Sequence, residues 1–109
     1  MGKPTDLVQG TLDFLILKAV ELEPRHGWGI AKRIQQISGD VIKVPQGSLY
    51  PALYRLERQG WIAGRPGQLE SGRTVTFYAL TRSGRKHLGH EIKAWSRLSD
   101  GINAAIRST

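Results

Sequence analysis

The chain contains no cysteine. That absence removes disulfides, thiolate metal sites and cysteine nucleophiles together, and leaves the fold to stand on packing. No apolar run reaches the roughly eighteen residues that a membrane-spanning helix needs. The opening Met-Gly-Lys-Pro-Thr-Asp lacks the long apolar stretch of a secretory signal, so a cytoplasmic protein away from membranes is expected. Catalytic patterns are missing as well. Ser48, His26 and Asp40 occur, but none sits in a nucleophile elbow, a metalloprotease helix or a phosphate loop. Gly27-Trp28-Gly29 is a glycine pair without the rest of a dinucleotide fingerprint. His87 and His90 stand one helical turn apart with no third ligand in view. No enzyme activity, catalytic residue, metal or cofactor is therefore expected. There is no internal repeat, linker or low-complexity segment, and 109 residues suit one domain spanning 1–109.

What is present is positive charge, unevenly placed. The net charge is +7 and the isoelectric point near 10.3, a balance that favours polyanions because neutralising phosphates releases condensed counterions. Between Lys43 and Lys86 lie eight cations against only Glu57 and Glu70, whereas the rest of the chain is nearly neutral. A merely solvated surface would mix the two signs more evenly.

The order of elements gives that charge a setting. Leu7, Val8, Leu12, Leu15, Ile16, Ala19 and Val20 recur at helical spacing, with Phe14 and Leu17 widening the stripe, so a first helix over Leu7 to Leu22 is buried on more than one side. Pro24 and Gly27 break the pattern. A second helix over Trp28 to Ser38 follows, with Ile30, Ala31, Ile34 and Ile37 inward, and Gly39-Asp40 ends it. A third helix opens in Pro45-Gln46-Gly47-Ser48, with Ser48 or a neighbour as cap and Pro51 in its first turn, and runs to about Gln59-Gly60. Leu49, Ala52, Leu53 and Leu56 form its inner stripe and leave Ser48, Tyr50, Pro51, Tyr54, Arg55 and Arg58 outward, a mixture suited to phosphates and base edges. Trp61-Ile62-Ala63 reads as a short strand and Arg73 to Leu80 as a second. The nine residues from Gly64 to Gly72 read as the tip, flanked by Arg65 and Arg73. Three helices and a basic two-stranded hairpin make the winged-helix order, in which the third helix enters the major groove.

Thr81 is the expected N-cap of a last helix reaching about Arg107, near 38 Å long at about 1.5 Å per residue. Leu88, Ile92, Trp95, Leu98, Ile102, Ala105 and Ile106 recur along it at spacings of three and four. Such a stripe calls for a second subunit, and Gly84, Gly89 and Gly101 weaken the isolated helix enough to make that packing more necessary. The expected fold class is mainly α with a small β-hairpin: a DNA-binding winged helix-turn-helix over 5–80 and a long C-terminal dimerisation helix over 81–107.

His26-Gly27-Trp28-Gly29-Ile30-Ala31-Lys32-Arg33-Ile34, Gly47-Ser48-Leu49-Tyr50-Pro51-Ala52-Leu53-Tyr54-Arg55-Leu56-Glu57, Gly72-Arg73, Phe77-Tyr78-Ala79-Leu80-Thr81 and Gly84 together resemble the PadR family of bacterial transcriptional regulators. The likeness covers nearly the whole chain, and Leu-Tyr-Pro-x-Leu is its most specific part. Gln9 to Lys18 together with Ile34 to Asp40 look like the short acidobacterial-type PadR subgroup. The resemblance implies a homodimeric repressor that reads a pseudo-palindromic double-stranded operator with its third helices and wings. The last helix is then expected to cross to the partner's first helix. The DNA-facing residues expected are Trp28, Lys32, Gln46, Ser48, Tyr50, Pro51, Tyr54, Arg55, Arg65 and Arg73. Trp28 stands where the family commonly has tyrosine, which exchanges a hydroxyl for an indole N–H. The dimer interface expected comprises Leu12, Leu15, Leu88, Ile92, Trp95, Leu98, Ile102 and Ile106. Trp95 matches a tryptophan that stacks on flat ligands in multidrug-responsive relatives, which implies a small aromatic effector. The competing reading has Trp95 only closing the interface. A competing function is a winged-helix protein-interaction module that never touches DNA, although such a module has no need of the concentrated charge.

Overall fold

The computed structural model describes residues 4–109, with side chains from residue 10 onward. The expected inward positions Leu7 and Val8 fall outside the described side chains. The order is α1 (Pro4–Ala19), β1 (Arg25–His26), α2 (Gly27–Ile37), α3 (Gln46–Arg58), β2 (Ile62–Gln68), β3 (Thr74–Leu80) and α4 (Arg82–Arg107). The sheet is antiparallel in the order β1-β3-β2. The fold is thus a mainly α winged helix with a long C-terminal helix. The sheet carries one strand more than the sequence pattern suggests, because Arg25 and His26 pair with Tyr78 and Phe77.

The core forms where α1 packs on α2, α3 and α4. Ile16, Leu17, Val20, Ile30, Ile34, Leu49, Leu53, Leu56, Ile62 and Leu88 are all but fully buried. Each fully buried aliphatic side chain of this kind contributes roughly 1.5–3 kcal/mol relative to leaving it in water. α2 opens directly from β1: His26 Nδ1 accepts the Gly29 N–H at 3.2 Å and caps the helix. It ends through Gly39 and Asp40, both left-handed, with the Asp40 N–H donating to the Gln35 carbonyl.

α3 begins at Gln46 behind Pro45, which offers no side-chain cap, so Ser48 lies inside the helix and is not its cap. Pro51 likewise lies well inside the helix, where it removes the N–H that the Gly47 carbonyl would accept. Gly47 is exposed, so solvent meets that carbonyl.

The hairpin is longer than its composition suggests. Gly64-Arg65-Pro66-Gly67 continue β2, and the connection shrinks to residues 69–73, closed by the Leu69 N–H on the Arg73 carbonyl. Pro66 is tolerated because β2 is an edge strand. Gly67 is required because a Cβ there would stand 2.6 Å from the Phe77 ring.

The wing base is tied to α4. Thr81 Oγ1 accepts the Gly84 N–H and donates to the Gly60 carbonyl, while the Thr81 N–H donates to the Trp61 carbonyl. A Cβ on Gly84 would lie 1.9 Å from the Trp61 oxygen, so this glycine is what allows helix and wing to meet. Beyond its first turns α4 runs outward, which stretches the molecule to 58 × 27 × 25 Å.

Candidate nucleic-acid interface

Three elements converge on one face. The start of α2 supplies Trp28, the start of α3 supplies Gln46 and Tyr50, and the wing supplies Arg73, Thr74 and Thr76. Together with Tyr78 they line a polar groove of about 510 Å³. Threonines 74 and 76 and Tyr78 share one face of β3 because alternate residues in a strand point the same way.

Trp28 is 60% exposed yet held in place. The His26 ring lies parallel to it, 8° between planes and 6.4 Å between centroids, and Lys32 Nζ stands 5.0 Å over the indole. His26 meets Phe77 edge-on at 5.6 Å, so the wing, the α2 cap and this aromatic ring form one unit. Tyr50 is half exposed, and its hydroxyl lies so close to Gly27 that a Cβ there would stand 2.9 Å away. Tyr54 lies exposed on the next turn with the Arg58 guanidinium 5.7 Å from its ring. Ser48, Pro51, Lys32 and Gln46 are exposed as expected, and Arg73 is exposed at the wing tip. Burial pushes the Tyr78 hydroxyl above its ordinary range, with the Glu57 carboxylate adding to the shift, so the phenol stays a neutral hydrogen-bond donor near pH 7. Glu57 Oε2 in turn accepts the Gly64 N–H at 3.3 Å and joins α3 to the wing.

Two expected contacts move elsewhere. Arg55 turns inward from α3: its guanidinium donates to Asp13 Oδ1 of α1 at 2.9 Å, and its Nε is buried without a partner. The contact ties α3 to α1 and turns the guanidinium toward α1. Arg65 lies mid-strand opposite Phe77, on the face of the sheet away from the Thr74, Thr76 and Tyr78 row, and does not flank the tip. His26, Thr74, Thr76 and Tyr78 belong to the face although they were not expected there. The alternation of Thr74, Thr76 and Tyr78 is visible in the sequence, but which side meets α3 is a tertiary fact, and His26 reaches the groove from β1, where it pairs with Phe77.

A second surface is apolar. Phe14 and Leu15 of α1, Ile42 of the α2–α3 connection, and Trp95 and Leu98 of α4 line a cavity of about 400 Å³. Trp95, Leu98, Ile102 and Ile106 are between 47% and 74% exposed, and Ile92 is partly so. Leu12 and Leu88, expected at the dimer interface, are instead 6% and 1% exposed and already covered by their own chain. His87 stacks face to face on Trp61, 3.6 Å between centroids, with Nε2 3.5 Å from Glu91 Oε1. Among the described residues no three His, Asp or Glu side chains gather as a metal site, and no helix is long and apolar enough to cross a membrane.

Comparison with known proteins agrees with this architecture. A transcriptional regulator from Clostridium thermocellum superposes with a TM-score of 0.80 at 26% identity, over 94% of this chain and 97% of that one. A PadR family transcriptional regulator from Eggerthella lenta superposes with a TM-score of 0.78 at 28% identity, over 96% and 89% respectively. An uncharacterized 37.1 kDa protein in transposon TN4556 of Streptomyces fradiae is 41% identical over 88 residues, which are 81% of this chain and 24% of that protein. The family model of the transcriptional regulator PadR-like family matches residues 16–90. The chain belongs to the PadR-like family of transcriptional regulators.

Proposed function

We propose that the protein is a sequence-specific DNA-binding repressor that acts as a homodimer. The observation that carries this reading is the groove where Trp28, Gln46, Tyr50 and Arg73 meet on an exposed face. α3 enters the major groove, with Ser48, Tyr50, Pro51 and Tyr54 toward base edges and phosphates. Trp28 and Lys32 brace the backbone at the start of α2, and Arg73 reaches it from the wing tip. The winged-helix part over 5–80 holds DNA, and the C-terminal segment over 81–107, which α4 fills from Arg82 onward, joins two copies.

Dimerisation is supported by the half-exposed row Trp95, Leu98 and Ile102, an apolar patch that an isolated helix has no reason to keep wet. Two copies related by a twofold axis present two recognition helices, so the operator is pseudo-palindromic. A flat apolar effector stacks on Trp95 inside the cavity bordered by Phe14 and Leu98. It relieves repression by binding the DNA-incompetent spacing of the two α3 helices more tightly than the competent one.

Selection of bound sites from random duplexes, followed by mobility shift at two salt concentrations, tests the reading. Two half-sites about one helical turn apart, with binding that weakens steeply in salt, are expected. Absence of binding at low salt overturns it in favour of a protein-interaction module.

A further inference from the structure

α4 has a second face that the recognition groove does not use. Arg82, Lys86, Lys93 and Arg97 follow one another at spacings of four, seven and four residues. At 3.6 residues per turn they stay within an arc of about 60° and make a ridge roughly 22 Å long. All four are exposed, and none forms an ion pair among the described residues. Leu88, Trp95 and Ile102 project from the opposite side of the helix, so a second copy seated on the apolar stripe leaves Arg82, Lys86 and Lys93 outward, with Arg97 at its rim beside Leu98 and Ile102. None of the four lines the groove between α3 and the wing.

This ridge is unlike an ordinary solvated helix face. Such faces interleave acids with bases at i,i+4. Here Arg82 with Lys86, and Lys93 with Arg97, place like charges at i,i+4, a spacing at which they repel. The first turn carries no acidic residue, and its cations sit at the positive end of the helix dipole, where they are disfavoured. Glu91 does not relieve the ridge because it faces His87 on another side, and Asp100 bounds it one turn past Arg97. Arg85, whose guanidinium donates to the Glu21 carbonyl at 3.3 Å, is not part of it. The helix keeps these charges against its own stability, and a polyanion relieves all of the conflicts at once.

We propose that this ridge is a second, sequence-independent DNA surface that holds the phosphate backbone of a duplex other than the operator bound at α3. The inference rests on the DNA-binding reading above. Its length spans about six phosphates of one strand at roughly 3.4 Å of rise each. A lipid surface fits less well, because an interfacial helix sinks an apolar face beside its charges, and here the apolar face lies opposite and awaits a second copy. A dimer on its operator therefore offers two outward ridges and bridges separate DNA segments.

The test immobilises a selected operator duplex, loads the full chain, washes, and adds a labelled random duplex at two salt concentrations. Four phosphate contacts predict a salt slope near −3.6, so second-duplex affinity falls about a hundredfold between ~50 and ~200 mM salt. The variant Arg82→Gln, Lys86→Gln, Lys93→Gln, Arg97→Gln is expected to hold the operator as the wild type does and to lose capture of the second duplex by at least about tenfold. Lys86→Arg with Lys93→Arg, which keeps every charge, retains capture and shows that helix integrity is not what is measured. Equal capture by the wild type and the glutamine variant overturns the ridge. So does a wild type that holds the operator yet captures no second duplex at low salt, or one that binds phosphatidylserine vesicles in place of duplex. If no duplex of any sequence is held, the DNA-binding reading falls with it.

Discussion

Replacing Arg55 by Met and Asp13 by Asn, singly and together, measures what the strut between the recognition helix and α1 is for. The pair closes at 2.9 Å with side chains 36% and 26% exposed. Burial raises the Asp13 carboxyl above its ordinary value of 3.8, and this outweighs the lowering by the Arg55 hydrogen bond and charge. Desolvation therefore exceeds attraction, the regime in which a paired charge adds little net stability while its widowed partner costs a good deal. Arg55→Met, which keeps the apolar stem, leaves a partly buried carboxylate without its donor and is expected to cost about 2 kcal/mol. Asp13→Asn, which still accepts from Arg55 without a charge to desolvate, and the double variant should both lie within about 1 kcal/mol of the wild type.

The pH dependence has a definite sign. A carboxyl whose folded pKa lies above its unfolded value contributes stability that is complete below 3.8 and lost as pH rises through the folded value. Asp13→Asn should gain on the wild type across that window, and the Arg55→Met deficit should shrink as pH falls toward it. Urea unfolding at one fixed protomer concentration, at pH 7 and near pH 4, reads both effects. An Asp13→Asn variant that loses more stability at pH 7 than at low pH would show that attraction wins, and would refute the reasoning.

Four further outcomes are expected. Gly84→Ala drives a Cβ to 1.9 Å from the Trp61 carbonyl oxygen and should cost about 3 kcal/mol, so a melting temperature equal to the wild type's would contradict the close approach. His26→Ala removes the α2 cap and the ring beneath Trp28; about 1 kcal/mol of stability and a shift in Trp28 fluorescence are expected, and an unchanged pair of readings argues against the coupling. Ile102→Asp puts an unpaired charge in the proposed interface and should yield monomers of 12.1 kDa by light scattering; a persistent dimer places the interface elsewhere. Arg73→Ala should weaken operator and random DNA alike and reduce the salt slope by about one, whereas loss confined to the operator would make Arg73 a base reader.

What could be read from the sequence follows the range of each interaction. The α3 stripe of Leu49, Ala52, Leu53 and Leu56 and the Thr81 cap are set within a few residues, and both stand as read. The Gly64 to Gly67 segment has turn composition, yet it is strand because Gly67 must pass under Phe77 and Pro66 lies on an open edge; neither condition exists until the sheet does. Helical spacing assigns Arg55 to the outer half of α3, but Asp13 arrives from 42 residues away and claims it. The α4 stripe shows the same limit most sharply. Leu88 and Ile92 are one turn apart and alike in pattern, yet the first is 1% exposed and the second 38%, a difference that only the packing of the rest of the chain decides. A period reports that a face is apolar. What covers it is decided by the rest of the chain, or by a second copy of it.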